Sequence, residues 1–562
     1  MTYGRCELCA SLTSLLANTH DRLGPVDSTP QPPDAPLRPL LWIFLGSGLV
    51  LAFFVARFNF LTDDAYILFR YSRNFARGLG LVYNPGVEPP VEGYSEFLWA
   101  VLLGGIERLG WSIGFWSRAL TIAGSGALLW LLLAFGRRRL GLSSTGLWAA
   151  GLFFATLPTV GIWTTGGLSS SLFALCIFWC YQALFSEPAA PRGVQAGLAG
   201  TLTCLLRADG PYWIATLLGL ALLAFAWRRW LGAENNALVR RRFLRGFLTA
   251  SVILVVLGAL FLTWRVATYG DYLPNTARAK VGMSALSLER GAKYLLSFWA
   301  VMPATLLVFV FGVAGLGARL LRRAPDAFDA MGALVLTITA TFGYGLLVGG
   351  DFMAMGRFFL PAAPLLALLF GVFVQRLGHL SRSAGLIVAG LCLASSVAPA
   401  FDMHVTTRAQ RASVWFRWST PDYLTEYEMW QGMRDRCQEW TLLGKALALH
   451  TTAEESLVLG PIGAIGYFTE MTILDLYGLT NREVLEASEP GTLRRSPGHD
   501  REVNIEFFDR YNPTWREVYL TGKDDVPEEL LQYAEQVGFK VIALDEADGF
   551  PRNRGYLMMR YW

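Results

Sequence analysis

The chain has 562 residues, of which 53% are hydrophobic and 16% charged, and its mean hydropathy is +0.38. This is far more apolar than a soluble domain, so lipid rather than a packed soluble core is the expected solvent. The formal net charge of +4 comes from Arg clusters between apolar blocks and not from a basic domain, which argues for membrane topology and against nucleic-acid binding.

Residues 1–39 contain Cys6 and Cys9 as a CxxC, then a Pro- and Asp-rich stretch. With no second Cys pair, His cluster or small-residue cleavage site nearby, they read as a cytoplasmic N-terminal tail rather than a metal site or signal peptide. Apolar blocks follow at 40–58, 115–135, 143–161, 168–186, 193–206, 212–228, 245–266, 295–318, 330–349, 357–376 and 384–401, which makes about 11 spans. Residues 40–401 are thus the predicted transmembrane catalytic domain. Segment 96–110 is apolar but only about half a span long, and is expected to be re-entrant or interfacial. The clusters Arg137 to Arg139, Arg228 to Arg242, Arg319 to Arg323 and Arg376 with Arg382 all fall in the cytoplasm if the N-terminus is inside. The predicted location is the bacterial inner (plasma) membrane, with every polar motif on the outer face. Cys176, Cys180, Cys204 and Cys392 fall in apolar segments as small core residues, and Cys437 stands alone in the tail, so no disulfide framework is expected.

The first external loop, 59–95, opens with Asp63 and Asp64. Acids so close to lipid are costly and tend to be functional, although Asp is also a favoured helix N-cap. In the helix that follows, Tyr66, Phe69 and Phe75 form an aromatic face suited to the membrane interface, while Arg70 and Arg73 could reach a phosphate. Glu92 and Tyr94 close the loop. In LLRADGPYW, Arg207 and Asp209 precede a Gly-Pro break; the break either lines a cavity or is a turn in which the two charges satisfy each other. The loop YGDYLPNTARAK supplies Asp271, Asn275, Arg278 and Lys280 beside Tyr269 and Tyr272, a set suited to a sugar phosphate and equally to a solvated loop. In GGDFMAMGRFFLP, Asp351 and Arg357 are held in a tight hairpin between two apolar blocks, which suggests a site.

From about residue 402, short strand-like runs at 456–460, 471–476 and 540–544 alternate with helical ones, predicting an extracytoplasmic α/β domain over 402–562. Asp475, Tyr477, Asn481 and Arg482 follow the second run, as ligand-binding groups or as a structural turn. Trp415, Trp418, Trp430 and Trp440 either stack on sugar rings or pack against the membrane domain.

No Gly-rich phosphate loop follows a strand, so a nucleotide sugar fits poorly. A polyprenyl-linked donor fits better: its isoprenoid lies among the helices, cationic side chains hold the phosphate, and a carboxylate deprotonates the acceptor hydroxyl. A polytopic transporter or flippase of lipid-linked sugars is the alternative. Against it stand the absence of an apparent inverted repeat, the sparse mid-span charge and the crowding of motifs on one face.

The stretches TDDAYILFRYSRNFARGLGLVYN, LLRADGP, YGDYLPNTARAK, GGDFMAMGRFFLP and DLYGLTNREV resemble, in order and spacing, the GT-C superfamily of membrane glycosyltransferases. Within it they look most like the mycobacterial terminal arabinofuranosyltransferases of the AftB type. The resemblance covers nearly all of the chain after residue 40 and implies a GT-C-like polytopic α-helical membrane protein. The implied activity is inverting, polyprenyl-phosphate-sugar-dependent glycosyl transfer to a cell-envelope glycan or glycolipid, with arabinofuranose as the sugar. It further implies Asp63 or Asp64 as the base, with Asp63 favoured as the first of the pair. Arg70, Arg207, Arg278, Lys280 and Arg357 would hold the donor phosphate, and Glu92, Tyr94, Asp209, Asp271, Asn275 and Asp351 would contact substrate. One departure is Ser169 in WTTGGLSSS, where relatives tend to carry Glu in a TGLE-like stretch. Paired acids near phosphate would accept Mg²⁺ or Ca²⁺, although no metal-ligand set stands out, and metal dependence stays open at this point.

Overall fold

The computed structural model describes residues 37–280, 284–417, 422–488, 501, 503–522, 526–550 and 555–562. Cys6, Cys9, Trp418 and the side chain of Lys280 lie outside the described residues. Eight helices among them are long and apolar enough to cross a membrane: Arg38–Arg57, Ile113–Arg138, Gly210–Trp230, Ala237–Tyr269, Pro303–Leu321, Ala330–Leu347, Arg357–Leu380 and Arg382–Phe401. Ser170–Phe185 and Gly193–Leu206 are shorter apolar helices. The block at 143–161 divides into helices Ser144–Thr156 and Pro158–Trp163. Proline forces the break: it lacks an N–H for the helical ladder and drives Leu157 before it into an extended conformation. Likewise the block at 295–318 breaks before Pro303, so that Ala285–Val301 and Pro303–Leu321 are separate helices.

Segment 96–110 forms a helix of 12 residues, Phe97–Arg108. At about 1.5 Å per residue it spans roughly 18 Å, short of a hydrocarbon core of about 30 Å. It packs against the amphipathic helix Asp63–Ala76, and the two make a layer over one end of the helical body. The opposite end gathers the Arg-rich loops. There Arg228 pairs with Asp329 at 3.4 Å and Arg319 with Asp326 at 3.4 Å, while Trp227 donates to the carbonyl of Ala324 at 2.9 Å. The two ends are thus chemically distinct, with the motif loops and the tail at one and the cationic clusters at the other.

After the last apolar helix the chain passes through a short helix, Arg408–Ser413, into the 25-residue helix Glu426–His450. A capping box closes its first turn, with Thr425 and Glu428 bonding reciprocally. Five strands follow: β1 (Ser456–Leu459), β2 (Thr472–Asp475), β3 (Trp515–Gly522), β4 (Phe539–Leu544) and β5 (Gly555–Tyr561). They form one mixed sheet in the order β2-β1-β3-β5-β4. β1 runs parallel to β2 and β3, and β5 lies antiparallel between β3 and β4. The runs at 456–460, 471–476 and 540–544 correspond to β1, β2 and β4. β3 and β5 escape the sequence pattern because charged Arg516, Glu517 and Arg560 interrupt their apolar residues. The β1–β3 ladder pairs Leu457 with Trp515, and beyond Trp515 the β3 edge is not paired by β1.

The sheet domain is not an appendage. Phe58 and Phe60, at the end of the first apolar helix, pack edge-on against Trp430 with centroids 5.0 and 6.4 Å apart. Trp430 is therefore core, and one hydrophobic cluster runs through both halves of the protein.

Candidate active site

The first long apolar helix ends at Arg57, and Thr62 then starts the helix that carries Asp63 and Asp64. Neither acid makes a side-chain cap of its own helix. Instead the Asp63 carboxylate accepts the backbone N–H of Ala464 at 2.7 Å and of Gly463 at 3.1 Å, reaching across to the tail. Only glycine fits at 463, where a Cβ would lie 2.1 Å from the Asp63 carbonyl oxygen. Burial, aided by the charge of Asp64, pushes the Asp63 carboxyl up to about 7 although the two N–H bonds oppose the shift. Asp64 is half-exposed and makes no hydrogen bond or ion pair among the described residues. The preference for Asp63 as base therefore meets a geometry in which Asp63 is engaged and Asp64 is free.

Arg70, one of the phosphate candidates, is 1% exposed and fully occupied. It donates to the carbonyls of Tyr83 at 2.8 Å, Gly466 at 2.5 Å and Met471 at 2.8 Å, and to Asn84 at 3.2 Å. These bonds make Arg70 a clamp between the first external loop and the tail. Of the aromatic face of the same helix, Tyr66 and Phe69 pack against Tyr467, tilted and edge-on at 5.5 and 6.1 Å, rather than on lipid, while Phe75 is exposed. The burial of Tyr66 and Phe69 against the tail explains why an amphipathic pattern here does not mean a membrane-surface helix.

A second polar group lies behind the turn at 164–169. Thr62 donates its backbone N–H to Gly166 at 3.1 Å, and Trp99 donates to Gly167 at 3.0 Å, so this turn sits directly against the start of the Asp63 helix. On its other side, the amide of Ser169 donates to the carboxylate of Glu96 at 2.9 Å. Glu96 is buried, and burial raises its carboxyl above the usual range against the pull of Arg207, the Ser169 amide and Arg357. Glu96 was not singled out from the sequence. Its signal is an acid directly before an apolar helix, and it supplies a carboxylate beside position 169, where this chain has Ser.

Arg207 and Arg357 frame that carboxylate, each held by its own acid. Arg207 makes a bidentate pair with Asp209 at 2.8 and 3.2 Å, and Arg357 makes one with Asp351 at 2.8 and 3.2 Å. Both guanidinium groups lie over the ring of Phe358, at 5.7 and 5.3 Å. Between them is a narrow cavity of 10 Å³, also lined by Ser170 and Tyr344, which is about enough for one water. The GGD hairpin is held rigidly: Gly349 and Gly350 adopt φ of +76° and +83°, a left-handed conformation that favours glycine. From the tail, buried Arg417 donates to the carbonyls of Phe352 and Met353 at 2.7 and 2.9 Å and pairs with Glu426 at 2.6 Å.

The remaining predicted residues form a third group that ties three loops to the sheet domain. Glu92 accepts from Arg265 at 3.0 Å, and Tyr94 shares a hydrogen bond with Tyr269 at 3.0 Å. Asn275 donates to the carbonyls of Gly478 and Leu479 at 2.7 and 3.0 Å. Asp271 pairs with half-exposed Arg278 at 2.8 Å. Asp475 accepts the amides of Tyr477 and Thr480 at 2.9 and 2.8 Å and so shapes the turn after β2; Arg482 then donates to Tyr269 at 2.6 Å. Of the two readings of this stretch, the geometry is that of a structural turn. Among the described residues no cluster of three or more His, Cys, Asp or Glu side chains is arranged to hold a metal ion.

Many apolar helices carrying a small sheet domain at their motif-bearing end make up a polytopic helical fold that the chain shares with solved structures. The chain is similar to the crystal structure of ArnT from Cupriavidus metallidurans bound to undecaprenyl phosphate, with a TM-score of 0.54 and 16% identity over 93% of this chain and 98% of that one. The apo state of the same protein gives a TM-score of 0.53 and 14% identity over 92% and 97%. Residues 426–551 match a family model described as a domain of unknown function (DUF8728). No curated protein matches the sequence.

Proposed function

We propose that this chain is an inverting glycosyltransferase that moves a sugar from a polyprenyl phosphate to a cell-envelope glycan or glycolipid at the outer face of the inner membrane. Arabinofuranose is the sugar favoured by the motif resemblance. The carrying observation is the free carboxylate of Asp64, held at the head of the external helix beside an Asp63 already committed to the backbone at 463 and 464. In this reading Asp64 takes the proton of the acceptor hydroxyl as that oxygen attacks the anomeric carbon. The bond from the anomeric carbon to the phosphate oxygen breaks on the opposite side, and its electron pair leaves with the polyprenyl phosphate. Arg207 and Arg357 are the cations that receive the developing charge. The similarity to an ArnT structure holding undecaprenyl phosphate supports a lipid-phosphate donor. Collection of the Arg clusters at the far end of the helices supports a cytoplasmic N-terminus and an external tail.

The test uses the purified full chain in lipid nanodiscs with a radiolabelled polyprenyl-phosphate arabinofuranose and an arabinan acceptor. Asp64→Asn lowers the transfer rate by about 10²–10⁴-fold, the usual contribution of a general base. Full activity in that variant overturns the assignment, and movement of donor across vesicles without transfer makes the protein a flippase instead.

A further inference from the structure

A cleft of 520 Å³ opens in the tail between the helix Glu426–His450 and the sheet. It is on a different face of that helix from the reaction site. Cys437 and Thr441 are directed to Asp63 and Tyr66, whereas Glu439, Trp440 and Leu443 are rotated away by the 3.6-residue turn and line the cleft. The opposite wall is β3, along the edge that β1 leaves unpaired beyond Trp515. All but one of the lining residues fall within 426–551.

The lining combines three aromatic rings with a few polar groups that have no protein partner among the described residues. Trp440, Tyr519 and Phe539 face the space, with the Tyr519 and Phe539 centroids 6.0 Å apart and tilted by 45°. Tyr519 is 49% exposed although it is a large ring on a sheet. The Glu439 carboxylate, the Trp440 indole N–H and the Tyr519 hydroxyl make no hydrogen bond or ion pair among the described residues. The Thr521 hydroxyl is buried there and also lacks a partner among the described residues. A purely hydrocarbon ligand would leave these polar groups unsatisfied, and among the described lining residues a strongly charged one would find Glu439 alone. A sugar ring satisfies both features, because its C–H face stacks on an aromatic ring while its rim of hydroxyls meets separated donors and acceptors.

We propose that this cleft is a remote acceptor subsite, holding a non-reacting sugar ring of the glycan whose terminal hydroxyl is delivered to Asp64. The proposal rests on the glycosyl-transfer reading and adds the chemistry of the acceptor. The cleft and the Asp63 side lie on different faces of the helix Glu426–His450, so a ligand that reaches both is an oligosaccharide and not a single sugar. Binding energy gained there is available to orient the reacting hydroxyl.

The experiment is calorimetric titration of the full chain in nanodiscs with tetrasaccharides of arabinofuranose, mannose and glucose. Saturable binding of at least one is expected, weakened about tenfold or more by Trp440→Ala and Tyr519→Ala. Glu439→Gln, at an exposed position, gives a weakening that cannot be a folding defect. In transfer assays the same substitutions raise KM for a tetrasaccharide acceptor far more than for a monosaccharide glycoside. The proposal fails if none of the three tetrasaccharides binds, or if binding survives all three substitutions. Binding without any transfer by the wild-type chain would instead sink the glycosyltransferase reading and leave the cleft standing.

Discussion

The carboxylate of Asp63 accepts the N–H of Ala464 at 2.7 Å, joining the first external helix to a turn 401 residues further along the chain. One member of the acidic pair is thereby a fastener and its neighbour is left available. The tail, through Gly463, Gly466 and Met471, is part of what holds the site in shape.

Asp63 gives a pH dependence with a definite sign. Its carboxyl moves from 3.8 to about 7 on folding, so between those values the native state binds the extra proton and stability falls as pH rises. Above about 7 the contribution is level. Thermal unfolding of the full chain is expected to show a Tm that declines from about pH 5 to about pH 7, and Asp63→Asn should flatten that decline. A wild-type Tm that rises over the same interval contradicts the buried, fastened carboxyl.

Arg207 and Asp209 separate structural from functional cost. Arg207→Ala leaves Asp209 charged and partly buried, a loss of about 3–5 kcal/mol. Removing both side chains should restore most of the stability measured by denaturation. Transfer activity should stay depressed by at least about tenfold in the double variant, since one phosphate ligand is still missing. Recovery of activity along with stability would reduce the pair to a structural one.

For Arg70 the expected outcome is loosening of the tail. Arg70→Ala strips the buried carbonyls of Gly466 and Met471 of their partner, at about 1–3 kcal/mol each. Limited proteolysis should then cut within 402–425 faster than in the wild type, while the helical body stays intact by circular dichroism. Unchanged cleavage would mean that the clamp carries no strain from the tail.

Glu96 predicts how the donor binds. Its raised carboxyl, placed beside Arg207 and Arg357, loses its charge as pH falls and then no longer repels a phosphate. Undecaprenyl phosphate should therefore bind more tightly at lower pH. In Glu96→Gln the contribution of this carboxyl to the pH dependence should disappear, leaving the titration of the phosphate itself. A variant that keeps the wild-type pH profile would remove Glu96 from the phosphate site.

The apolar blocks, their interruption at proline and glycine, and the segregation of Arg clusters from motif loops are all legible in the sequence. Lipid solvation and backbone chemistry act on each stretch locally. So are the pairs Arg207 with Asp209 and Arg357 with Asp351, two and six residues apart, because a short tight turn leaves such charges few other partners. The binding of Asp63 to Ala464, of Arg70 to Gly466 and of Glu96 to Ser169 follows from no local pattern. These contacts join residues 401, 396 and 73 positions apart, and depend on which faces the helices and the sheet domain present to one another. An acid reads the same in sequence whether its oxygens end on a backbone amide or remain free for chemistry. Only packing decided that Asp63 is fastened, that Asp64 is not, and that Tyr66 and Phe69 of the Asp63 helix face the tail rather than lipid.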